Sequence, residues 1–179
     1  MVTILRNSPW HEKIESKRGD YGEELVAKIL DQCGFDVYQS ITAKPHGRDF
    51  YIDLNKTLLF AAEVKTKNMM KKYRETGIDY RNFKEYQEFW LQTRVPVLLV
   101  FVDPSKKSIY GNFLHFLEEP RVQDGIKYPK TIAPKFNRTG GLIRYYPEDA
   151  MLPIGTLTDE DVAILEQYNT SLYQGGNNS

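Results

Sequence analysis

Glu23, Asp49, Glu63 and Lys65 are the residues of this chain whose types and order could do chemistry together. Carboxylates supply hard oxygen ligands for a divalent cation such as Mg²⁺. A lysine beside them can orient a water and offset negative charge on phosphorus. Such a set is suited to activating water against a phosphodiester. Each residue also has an ordinary explanation taken singly: a first-turn helix acid for Glu23, a solvent-facing strand end for Glu63 and Lys65. Their joint placement carries the reading, so the elements that position them come next.

Leu58–Ala62 is continuously apolar, as in a central strand covered on both faces, and Glu63-Val64-Lys65 ends it. Strand side chains alternate, so Glu63 and Lys65 share a face with Leu59 and Ala61. Asp49–Leu54 reads as the preceding strand, with a turn at Asn55-Lys56-Thr57. A three-residue loop pairs Leu54 with Leu58 and sets Asp49 opposite Glu63, with Cβ atoms about 5 Å apart. A two-residue turn would put Asp49 on the other face. Asp53, beside the turn, is read as a turn residue.

Glu23 belongs to a helix expected from about Asp20 to Cys33, with Leu25, Val26, Ile29, Leu30 and Cys33 on one face and Gly34 as its stop. At 100° per residue Glu23 lies at the edge of that apolar stripe and Glu24 points away. Cys33 reads as a packed thiol. Phe35–Ser40 alternates like a strand, and Ala43–Arg48 reads as a loop.

Downstream, Lys67–Tyr80 is polar and reads as irregular, and Arg81–Thr93 as a helix with Phe83, Tyr86 and Trp90 on one face. Val95–Val102 reads as a second buried strand, with Ser108–Phe113 and Gly141–Tyr146 as further strands. Glu118–Arg138, rich in Pro and Lys, reads as an inserted loop, and Thr158 as the N-cap of a closing helix to about Tyr168. The expected organisation is a leader over 1–17, one domain over 18–174 with an insertion at about 118–138, and a disordered tail over 175–179. The fold expected is α/β, a central mixed sheet of four or five strands flanked by helices.

The 24 Lys and Arg balance 24 Asp and Glu. The balance is uneven along the chain, because Tyr145–Ser179 has six acids and no Lys or Arg, leaving about +6 on the rest. Lys65, Lys67, Lys71, Lys72 and Arg74 form a run without an acid, suited to phosphate contacts or equally to a solvated loop. Arg48 and His46 flank Asp49 and are further candidates for touching phosphate. Gln87 lies on the otherwise apolar face of the second helix. The single Cys33 permits no internal disulfide and excludes a cysteine-rich metal site, which suits a reducing, cytoplasmic setting. No apolar stretch is long enough to span a bilayer, and no secretory pattern opens the chain.

Arg18-Gly19, Gly22-Glu23, Leu25-Val26 and Gly34-Phe35, then Asp49 and Glu63-Val64-Lys65 fourteen residues on, resemble the PD-(D/E)XK nuclease superfamily. Phe83–Trp90 followed by Pro96–Val100 extends the likeness, which is greatest to the archaeal Holliday-junction resolvases and runs from Arg18 to Asp103. The resemblance implies a restriction-endonuclease-like core. It also implies a Mg²⁺-dependent DNA endonuclease, with Mn²⁺ able to substitute. Asp49, Glu63, the Val64 carbonyl and Glu23 would serve the metal, with Lys65 at the attacking water. The DNA partner would meet Arg48, His46, Lys67, Lys71, Lys72 and Arg74, and the enzyme would be a homodimer because two strands must be cut. Junctions, specific duplex sites, and damaged or mobile-element DNA remain open as substrates. The alternative is an inactive nuclease-like module that binds DNA or a partner.

Overall fold

The computed structural model describes residues 14–40, 48–119, 121–123, 126–128, 132–137 and 140–170. Helix α1 spans Ile14–Gln32. It starts earlier than the apolar stripe suggests, and its polar opening turns continue into the amphipathic part without a break. Gly34, at φ +87°, ends it as expected; the Gly34 amide donates to the Asp31 carbonyl at 2.9 Å. Cys33 lies just past the helix and is exposed, contrary to the packed position read from its periodicity. The chain turns away at that point, so the last member of the stripe has no sheet beneath it.

The central sheet has six strands: β1 (Asp36–Gln39), β2 (Phe50–Leu54), β3 (Thr57–Thr66), β5 (Val97–Asp103), β6 (Ser108–Phe113) and β11 (Leu152–Thr156), in the order β1-β2-β3-β5-β6-β11. β3 and β5 run parallel, and the other neighbours antiparallel, so the sheet is mixed. The sixth strand, β11, is Leu-Pro-Ile-Gly-Thr, a composition that reads as a loop. It is tolerated because β11 is an edge strand, where proline forfeits no ladder bond.

Helices α1 and α4 (Asp159–Thr170) cover one face of the sheet, where Val26, Leu30, Phe50, Ile52, Phe60, Ala62, Val64, Val100 and Leu165 form a core. Helix α2 (Tyr80–Thr93) and α3 (Leu114–Glu118) cover the other, with Phe83, Tyr86, Val97, Leu99 and Phe101. β5 is thereby buried on both sides, which explains its unbroken apolar run. Thr158 caps α4: its Oγ1 accepts from the Asp161 amide at 3.1 Å, and its own amide donates to Asp161 Oδ2 at 2.8 Å.

The segment read as irregular after β3 instead holds β4 (Glu75–Asp79). This strand pairs with β10 (Leu142–Pro147), and β10 with β9 (Ile132–Phe136), in a second sheet. β4 gives no alternating apolar signal because Thr76 and Ile78 share its inward face and Gly77 intervenes. The stretch read as an inserted loop also carries β7 (Arg121–Gln123) and β8 (Ile126–Tyr128), paired with each other. Among the described residues no helix is long and apolar enough to cross a membrane. The expected tail at 175–179 lies outside them.

Candidate active site

The β2–β3 hairpin turns on two residues, not three. Leu54 pairs with Thr57, and Asn55 and Lys56 both have positive φ, at 52° and 63°, as a type I′ turn requires. By itself that turn would send Asp49 to the wrong face. A β-bulge between Asp53↔Leu58 and Ile52↔Phe60 inserts Leu59 and restores the parity. From there Tyr51 pairs with Ala61 and Phe50 with Ala62, so one further step sets Asp49 opposite Glu63. The expected juxtaposition stands, reached by a different route. The bulge also lies where β3 leaves its neighbours: Leu58 and Leu59 are exposed, and the burial expected from Leu58 onward begins at Phe60.

The three residues meet at the end of β3. Asp49 Oδ2 accepts from the Val64 amide at 2.7 Å, which ties the residue before β2 to Glu63-Val64-Lys65 on β3. Glu63 is 2% exposed, and its Oε1 ion-pairs with the Lys65 ammonium. Burial pushes the Asp49 carboxyl well above the usual carboxylate range. The neighbouring Glu63 and Glu23 push it further, against Lys65 and the Val64 amide. Burial alone would lower the Lys65 ammonium, yet Glu63 and Asp49 hold it above its ordinary value, so it stays charged. Glu23 is half-buried and Glu24 exposed, as the helical phase requires, and Glu23 is near enough to act electrostatically on both Asp49 and Lys65.

Gly22 explains how α1 comes so close. A Cβ built on it would lie 1.9 Å from Thr66 Oγ1 at the end of β3, so any larger residue must displace the Thr66 side chain to keep this helix–strand approach. The next residue on the helix is Glu23.

Among the described residues no three His, Cys, Asp or Glu side chains close around a ready-made metal cage. The donor set nonetheless fits a hard cation. Glu63 Oε2 is buried without a hydrogen-bond partner, a costly condition for a carboxylate oxygen. It lies in a cluster of oxygen donors whose like charges repel one another, and a divalent cation would relieve both penalties.

Helix α2 contributes two residues that the sequence reading assigned no part in the site. The Tyr86 hydroxyl is close enough to the Glu63 side chain to feel its charge: burial first, then Glu63, raises the phenol's pKa. Tyr86 had been placed in an apolar stripe with Phe83 and Trp90, where nothing separates a packing phenol from a ligating one. One turn on, the Phe89 ring lies 3.7 Å beneath the Arg48 guanidinium, whose Nε is buried with no hydrogen-bond partner. Gln87, on the same helix, is half-buried.

The residues considered for phosphate contact are spread out. Lys67 donates to the Gly77 carbonyl, and burial, then Lys65, lowers its pKa to about 8. Lys71 and Lys72 are exposed, and Arg74 is paired with Glu148 at 2.6 Å. His46 lies outside the described residues.

No family model matches the chain, and no curated protein matches it. Solved structures do. One is Hjc, a Holliday junction resolvase from Archaeoglobus fulgidus, an archaeal hyperthermophile. It is 15% identical with a TM-score of 0.51, and the alignment covers 76% of this chain and 96% of that one. Another is D212, a nuclease from a fusselovirus, 9% identical with a TM-score of 0.48 over 96% of this chain and 99% of that one. The chain shares its fold with the archaeal resolvase, a mixed sheet flanked by helices.

Proposed function

We propose that this protein is a Mg²⁺-dependent DNA endonuclease. The observation that carries the reading is half-buried Asp49 set opposite buried Glu63 beside Lys65, with one Glu63 oxygen lacking a hydrogen-bond partner. A protein gains no stability from such an arrangement, so its retention calls for a ligand or a chemical use. Asp49, Glu63 and the Val64 carbonyl would hold the cation, with Glu23 completing the site. When bound, Mg²⁺ supplies charge neutralisation at the phosphate and lowers the pKa of coordinated water.

The chain's own groups do the rest. Lys65, kept as an ammonium by Glu63 and Asp49, donates a hydrogen bond to the attacking water and offsets charge building on the phosphorus oxygens. Arg48, its guanidinium over the Phe89 ring, would offer its terminal N–H groups to a phosphate oxygen. Tyr86 keeps the Glu63 carboxylate in its orientation from below. Lys71 and Lys72 lie along the backbone of the bound DNA. Residues 18–174 act as one domain, and two copies are needed to cut both strands.

The test is cleavage of plasmid, linear duplex, single-stranded and four-way-junction DNA with Mg²⁺ or EDTA, by wild type and Lys65→Ala. Metal-dependent cutting by the wild type that falls at least 100-fold in the variant is expected. DNA binding without cutting on any substrate would favour an inactive binding module. Absence of both binding and cutting on every substrate would sink the reading.

A further inference from the structure

Between β3 and β4 the chain makes a tight hairpin. The Met70 amide donates to the Glu75 carbonyl at 3.0 Å and the Arg74 amide to the Met70 carbonyl at 2.8 Å, leaving Lys71, Lys72, Tyr73 and Arg74 as the tip. Its root is fixed from several sides. The Met69 amide donates to buried Asp103 Oδ2 at 2.9 Å, and the Met69 side chain is buried. Arg74 pairs with Glu148, and the Glu148 amide donates back to the Arg74 carbonyl at 2.9 Å. Lys67 joins the catalytic strand to β4 through the Gly77 carbonyl.

A rigid root makes the state of Tyr73 notable. This ring is 57% exposed, although an aromatic side chain gains from burial and the second sheet lies beside it. Lys72 Nζ stands 5.1 Å from its centroid and Lys135 Nζ 5.8 Å. Lys135 Nζ also lies 5.7 Å from the Tyr145 ring and 3.7 Å from the Glu75 carboxylate. The tip is thus a largely exposed ring with two mobile lysine ammonium groups over it, on the segment that leaves the candidate active site. An aromatic platform with cations around it is how proteins hold unpaired bases, the ring stacking on the base and the cations meeting its phosphates. Paired bases in a continuous duplex offer no such face without being unstacked.

We infer that Tyr73 stacks on an unpaired base, so that the preferred substrate carries a single-stranded segment. The inference rests on the nuclease reading of the neighbouring site and adds to it the class of DNA.

The test is binding in EDTA, which separates recognition from chemistry. The probes are a 30-base-pair duplex with a four-nucleotide single-stranded gap containing 2-aminopurine, and the continuous duplex of the same sequence. Wild type is expected to prefer the gapped probe and to quench its fluorescence. Tyr73→Ala should lose at least about fivefold on the gapped probe, along with the quench, and change less than twofold on the duplex. Tyr73→Phe should keep both. Lys72→Gln should weaken both probes alike and flatten the salt dependence. Equal wild-type affinity for the two probes, or a gap preference surviving in Tyr73→Ala, overturns the inference while leaving the nuclease reading intact. Binding of neither probe at low salt overturns the inference, while the nuclease reading is decided separately by cleavage in Mg²⁺.

Discussion

Asp49→Asn should make the metal-free protein more stable while removing its activity. The Asp49 carboxyl is raised well above its usual range by burial first and then by Glu63 and Glu23. The register sets it opposite Glu63, so two charges about 5 Å apart in an effective dielectric of about 20 repel by about 3 kcal/mol. Attraction to Lys65 is lost with the same charge and offsets part of that gain. The net expectation is a stabilisation of about 1–2 kcal/mol at neutral pH, or about 2–8 °C in Tm for a chain of this size. Asparagine keeps an acceptor for the Val64 amide, so the 2.7 Å tie survives. The assay is urea denaturation in EDTA from pH 4 to 8. The raised native pKa means that, above the ordinary carboxylate range, the native state holds more protons than the unfolded chain. Wild-type stability therefore falls as pH rises through that window, and the variant should lack this part of the slope. Adding Mg²⁺ should stabilise the wild type more than the variant. If Asp49→Asn is less stable by more than about 1 kcal/mol in EDTA, with the pH slope unchanged, Asp49 is a structural hydrogen-bonding residue and the repulsion argument fails.

Tyr86→Phe keeps the ring in the core and removes the hydroxyl that lies near Glu63. It should cost under about 1.5 kcal/mol in urea yet weaken Mn²⁺ binding severalfold by calorimetry; unchanged Mn²⁺ affinity would show that the phenol only packs. Gly22→Ala drives a Cβ to within 1.9 Å of Thr66 Oγ1 and should destabilise by about 1–3 kcal/mol. Thr66→Ala in the same chain should recover most of this loss, and simple additivity of the two would refute the steric account. Lys56→Gly relieves a left-handed lysine in the type I′ turn and should stabilise by about 0.5–1 kcal/mol; a loss of stability would mean the turn depends on the side chain.

The helices and central strands were legible because their signals are local. Leu25, Val26, Ile29 and Leu30 mark the buried face of α1, and Val97–Val102 the doubly covered strand. β4 and β11 were not legible, since one is polar with a central glycine and the other contains proline and glycine. Both exist through partners distant in sequence, β10 and β6.

The candidate site divides the same way. The order and chemical types of Glu23, Asp49, Glu63 and Lys65 can be read from the residues alone, because alternation and helical phase assign each to a face. Whether Asp49 meets Glu63 depends on Leu59 bulging out of the ladder, which two opposed strands decide and no local spacing encodes. Tyr86 and Phe89 come near the candidate site only because α2 packs on that face of the sheet, bringing a phenol near Glu63 and a ring beneath Arg48. Side-chain type and face are properties of a few consecutive residues. Contact between groups tens of residues apart is set by how whole elements pack, and that was fixed only when the tertiary structure closed.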